Sequence, residues 1–101
     1  MQAFGFICDY SGAVTLDSAF VATKGDSTAA TTQTISAYIS VGGSAGGIVY
    51  VDQFGFNQWW PNAFVGYNPI AATKILTSAT IDGVLRTTTA TSLGWGMVNK
   101  I

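Results

Sequence analysis

The chain has 101 residues, enough for one small domain. It is 49% hydrophobic, only 9% charged and carries a net charge of −1, whereas average proteins are roughly 25% charged. It holds no histidine, no glutamate and one cysteine, so it lacks the clustered titratable groups that proton transfer, nucleophile activation and metal ligation need, which argues against an enzyme.

The opening Met1-Gln2-Ala3-Phe4-Gly5 has no basic n-region and no long apolar run. It predicts a chain folded in a cytoplasm without an export signal. A first strand is expected over Phe4–Cys8. Cys8 stands alone, so no internal disulfide forms, and its apolar neighbours suggest a small buried hydrophobe. A second strand is expected over Val14–Thr23, then a turn at Lys24-Gly25-Asp26-Ser27. A short helical turn is the most that Ala29–Gln33 supports. Asp9, Asp17 and Asp26 are irregularly spaced and suit turns and edges rather than a calcium loop.

Thr34–Val41 alternates with period two. Ile35, Ala37, Ile39 and Val41 are expected on one face, with Thr34, Ser36, Tyr38 and Ser40 on the other, as in a half-buried strand. Ser27–Val51 is uncharged and contains Gly42/Gly46 and Gly43/Gly47 at GxxxG spacing. Serines and clustered glycines interrupt it, so it falls short of the roughly 20 apolar residues of a membrane helix. Gly42–Gly47 reads as a turn or wide hairpin loop. It lacks the Lys-Ser/Thr of a phosphate-binding loop. Ile48–Phe56 is expected to be another strand.

Phe54–Pro69 is the densest feature, with six of the thirteen aromatics, both prolines and no charge. Pro61 and Pro69 oppose a regular ladder or helix, which predicts a long ordered loop with at most a helical turn near Trp59–Tyr67. Three readings compete for it. Trp59, Trp60 and Phe64 close the end of the core; the rings anchor a protein partner; or they stack on sugars, with Asn57, Gln58, Asn62 and Asn68 as hydrogen-bonding neighbours. A base-stacking platform would need a positive groove that the composition does not supply.

Asp82-Gly83 is the strongest turn signal, because a type I′ turn needs positive φ at both central residues. It predicts a hairpin in which Ile75–Ile81 leads in, Val84–Thr91 leads out, and Ile81 pairs with Val84. Gly94–Ile101 ends on an apolar residue, expected either as a last strand or as a terminus docked on a neighbouring subunit.

These elements predict one all-β domain over 1–101, a small sandwich or barrel with Gly-rich turns and one long aromatic loop. No catalytic, cofactor-binding or metal residues are expected. The candidate interface residues are Trp59, Trp60, Phe64, Tyr67 and Trp95.

In its length, near-zero charge and Thr/Ala/Gly-rich stretches, such as Ala29–Val41 and Thr87–Thr91, the chain resembles small tailed-phage virion proteins, in particular capsid decoration or cement proteins. The resemblance implies a non-enzymatic subunit that forms a homo-oligomer, as a trimer, on a major capsid protein or other virion protein. It implies assembly in the host cytoplasm and a place in the virion. No cofactor is expected, and the lack of a basic run argues against nucleic-acid and membrane partners. A tail or fibre component would share this character. A small carbohydrate-binding or adhesin module is the reading from another class.

Overall fold

The computed structural model describes residues 6–20 and 35–100, with backbone alone for 6–10 and 98–100. The expectations for Phe4, for residues 21–23, for the Lys24–Ser27 turn, for Ala29–Gln33, for Thr34 and Ile101, and for the Cys8 and Asp9 side chains lie outside the described residues.

The domain is all-β. Its strands are β1 (Phe6–Ala13), β2 (Ser18–Ala19), β3 (Tyr38–Val41), β4 (Gly46–Val51), β5 (Asn57–Ala63), β6 (Gly66–Asn68), β7 (Lys74–Leu76), β8 (Ser78–Ile81), β9 (Val84–Thr87) and β10 (Leu93–Lys100). They form two four-stranded sheets, ordered β1-β10-β3-β6 and β2-β7-β4-β5, and a separate β8-β9 hairpin. Every pairing is antiparallel.

One core joins the two larger sheets. Ile39, Val41 and Trp95 come from the first, Ile48, Ala63 and Ile75 from the second, and Phe20, Ile70, Ala72 and Ala90 from connecting segments. The architecture is therefore a sandwich rather than a barrel, because each sheet gives one face to a shared interior. Trp95 is only 4% exposed. Its ring stacks on Phe20 with centroids 5.2 Å apart and planes 14° from parallel.

The second sheet also buries its outer side. Along β4, Ile48 joins the shared core while Val49 alternates away from it, in register with Trp59 and Leu76. Val49 is nonetheless fully buried. The β8-β9 hairpin lies there, β8 contacting β5 and β9 contacting β4. Its turn is as expected: Asp82 and Gly83 have φ of 52° and 79°, and Ile81 pairs with Val84. The lead-in is shorter than expected, because β7 joins the second sheet and the chain changes sheet at Thr77.

Two other expectations are corrected. The alternation over Ile35–Val41 holds for Ile39 and Val41 but reverses earlier, with Ser36 buried and Ala37 exposed. Ser36 Oγ donates to Ile70 O at 2.7 Å and accepts from Ala72 N at 3.0 Å. These bonds offset the cost of burying the hydroxyl. The Gly42–Gly47 stretch is no hairpin loop; it carries the chain from β3 in one sheet to β4 in the other.

Trp95 is the bulkiest of the buried core side chains among the described residues. Trp95→Ala is expected to lower the unfolding free energy by about 3–5 kcal/mol, read from urea denaturation. A loss below about 1 kcal/mol would contradict this packing.

Candidate functional site

The segment read as a long loop is two strands and their turns, β5 and β6. Pro61 is accommodated because β5 is the outermost strand of its sheet. The register there also slips: Gly46 faces Ala63 while Ile48 faces Trp60, which leaves an extra residue beside Pro61. An edge strand with a bulge is where a residue lacking N–H fits.

Adjacent residues on a strand point to opposite faces, and this divides the tryptophan pair. Trp60 packs against the shared core. Trp59 lies on the other side, and the Arg86 guanidinium sits 5.3 Å from its ring centroid, a cation–π contact. Its ring also lies against Gly47, where any Cβ would collide with the indole. Both tryptophans are half-buried. With Trp95 in the core, three of the five candidate interface residues are engaged inside the domain. Of the hydrogen-bonding neighbours in the sugar-stacking arrangement, Asn68 is fully buried.

Asn68 acts instead as a structural hub. Its Oδ1 accepts from Phe64 N at 3.0 Å, and its Nδ2 donates to Phe64 O at 2.9 Å and Ile39 O at 3.3 Å. These bonds close the β5–β6 turn and set Phe64, Val65 and Tyr67 on the surface, Tyr67 at 69% exposure. The Tyr67 ring meets Tyr38 edge-on at 4.8 Å.

Two further exposed rings sit at the opposite end of β5. In the β4–β5 turn, Phe54 is 74% and Phe56 65% exposed. One carboxylate organises this turn. Asp52 Oδ1 accepts from Phe54 N and Phe56 N, each at 2.9 Å, and Oδ2 accepts from Gln58 Nε2 at 3.0 Å. Asp52 N donates to Phe56 O, and Gly55 N donates to Asp52 O, with Gly55 at φ 87°. Aspartate followed by glycine at this spacing is a turn signal, but the exposure of the flanking phenylalanines is not readable from it.

The phenylalanine N–H bonds and that of Gln58 hold the Asp52 carboxyl below its usual value of 3.8, with the Phe56 amide first among the causes. Asp17, at φ 65°, is tied similarly, accepting from Thr77 N and Thr77 Oγ1 at 2.9 Å. The Thr77 backbone bond is the largest cause of its lowered value. Tyr50 moves the other way: burial raises it above 10.0, with the Asp52 charge adding to the effect. Among the described residues, no three His, Cys, Asp or Glu side chains converge on a metal position. No helix there is long and apolar enough to cross a membrane.

A folded-state value below the unfolded one means that stability is complete above about pH 4 and is lost as pH falls through the folded value. Acid unfolding should therefore be shallower in Asp52→Asn than in the parent, read by circular dichroism between about pH 5 and 2. An unchanged acid limb would show that these hydrogen bonds do not favour the carboxylate.

No protein-family model, no curated protein and no solved structure matches this chain.

Proposed function

We propose that this chain is a non-enzymatic assembly subunit, a capsid decoration or cement protein of a virus particle that works through self-association and contact with a shell protein. The observation that carries the reading is the display of Phe54, Phe56, Phe64, Val65 and Tyr67 on hydrogen-bonded turns at both ends of β5. Rings held in place on a surface lose little conformational freedom on binding and serve as anchors. Large exposed apolar groups on a small domain mark contact sites.

The charged groups support the same reading. Asp17 closes a turn onto Thr77, Asp52 organises the phenylalanine turn, and Arg86 covers Trp59. Each has a structural partner. The virion assignment rests on the compositional resemblance, and the trimer on the habit of that class of protein.

The test is the absolute mass of the purified protein by light scattering, measured from about 0.1 M to about 1 M salt, where the screening length falls from about 10 Å to about 3 Å. A closed oligomer whose mass is unchanged across that range is expected, because the displayed surfaces are apolar. A monomer at every concentration would overturn the reading. An oligomer that dissociates in salt would overturn the apolar-contact basis for it.

A further inference from the structure

Strands β1 and β2 are each the outermost strand of their sheet. Between them lies a cleft of about 250 Å³, lined by residues 11–13, Thr15, Ser18 and Ala19, with Phe20 and Trp95 completing the wall. No charged residue lines it. Asp17, between Thr15 and Ser18 in the chain, is bonded to Thr77 instead.

The polar groups of this cleft are not used by the fold. Gly12 faces Trp95 in the β1–β10 ladder, and with no side chain there the indole lies across the edge strand. Its Nε1 is 3.0 Å from the place a Cβ at Gly12 would take. Trp95 is only 4% exposed, yet no described residue accepts this N–H. Among the described residues no sealed side-chain nitrogen or oxygen lacks a partner, so the N–H opens into the cleft rather than the interior. The Thr15 and Ser18 hydroxyls are likewise engaged by no described residue. The backbone adds further groups. Val14 N donates to Leu93 O, which sets the phase of the ladder and turns the peptide groups of Ser11 and Ala13 away from β10, to the open edge. Phe20 N donates to Thr73 O, which in the same way turns those of Ala19 away from β7.

We propose that this cleft binds a single neutral sugar ring. The Trp95 indole N–H donates to one ring oxygen, and the Thr15 and Ser18 hydroxyls and the edge peptide groups pair with the neighbouring hydroxyls. An indole N–H only donates, whereas hydroxyls and peptide groups both donate and accept, which is the mixed set a polyol presents in return. The volume falls just below the roughly 300–1,000 Å³ of drug-sized pockets, which suits one ring. An anionic ligand finds no cation in the wall. A purely apolar ligand would leave a nine-tenths-buried N–H and the peptide groups without water or partner, at a cost in free energy. The inference goes beyond the assembly reading and holds whether the chain is a monomer or an oligomer.

The experiment follows the indole N–H resonances of the full-length protein by NMR. Neutral monosaccharides and their methyl glycosides are added singly from about 1 mM to about 100 mM, the range of weak binding, with glycerol as the control. At least one sugar should shift the Trp95 resonance saturably while glycerol does not. Gly12→Ala sets a methyl group against the indole N–H and should weaken that binding about tenfold or more. Thr15→Val/Ser18→Ala, which leaves the ladder untouched, should weaken it roughly tenfold and serves alone if Gly12→Ala fails to fold. A glycoside that binds as tightly as its parent sugar assigns the end residue of a glycan as the ligand; one that does not assigns the free sugar. No saturable shift with any sugar, a shift matched by glycerol, or one confined to Trp59 and Trp60 would overturn the site. Unchanged binding in the folded variants would overturn it as well.

Discussion

The fold depends on how the chain satisfies its backbone where it leaves one sheet and enters the next. Between β3 and β4 the amides of Gly42, Gly43 and Ser44 leave the first sheet, and Gly47 and Val49 lie in the second. Gly47 and Val49 are buried, and their amides cannot remain unpaired without a cost of a few kcal/mol. The acceptors come from one short segment after β9. Ser92 O and Thr91 O take Gly42 N and Gly43 N, while the hydroxyls of Thr91, Thr89 and Thr88 take the amides of Ser44, Gly47 and Val49. Thr88 Oγ1 then donates onward to Leu76 O at 2.7 Å. β4 and β7 of the second sheet are thus tied to the residue that follows β9 through a threonine hydroxyl.

That seam explains several features at once. The hairpin β8-β9 lies over the second sheet because Thr88 and Thr89 hold its exit strand there. Glycines occur along the crossover because side chains at 43 and 46 would collide with Thr91 and Thr89. Among the described residues, no buried side-chain nitrogen or oxygen lacks a partner. A small domain with few charges can rely on such a network, since hydroxyl and amide groups carry no charge to desolvate.

With the interior closed in this way, the remaining apolar surface is gathered at turns. The Asp52 carboxylate and the Asn68 amide perform the same task at opposite ends of β5, each taking backbone groups of a tight turn and leaving aromatic side chains outside. The rigid turns are what make the exposed rings informative. An exposed phenylalanine on a loose segment is ordinary; two on a turn held by five hydrogen bonds are positioned.

By itself the sequence determined the fold class, the Asp82-Gly83 hairpin with its Ile81–Val84 register, and the burial of Ile39 and Val41. These follow from local rules: period two, β-branched residues and the positive φ that Asp-Gly tolerates. Two of the residues it singled out, Phe64 and Tyr67, are exposed. Tertiary structure alone decided what Phe54–Pro69 became. A proline reads locally as a strand breaker, but β5 is an edge strand with a bulge, a fact about neighbours that sequence spacing does not contain. The fate of the tryptophans is non-local for the same reason. Trp59 is covered by Arg86 and Trp95 by Phe20, partners 27 and 75 residues away in the chain. Phe54 and Phe56, which looked like the end of a strand, are left outside because an aspartate two residues before the first of them captures their amides.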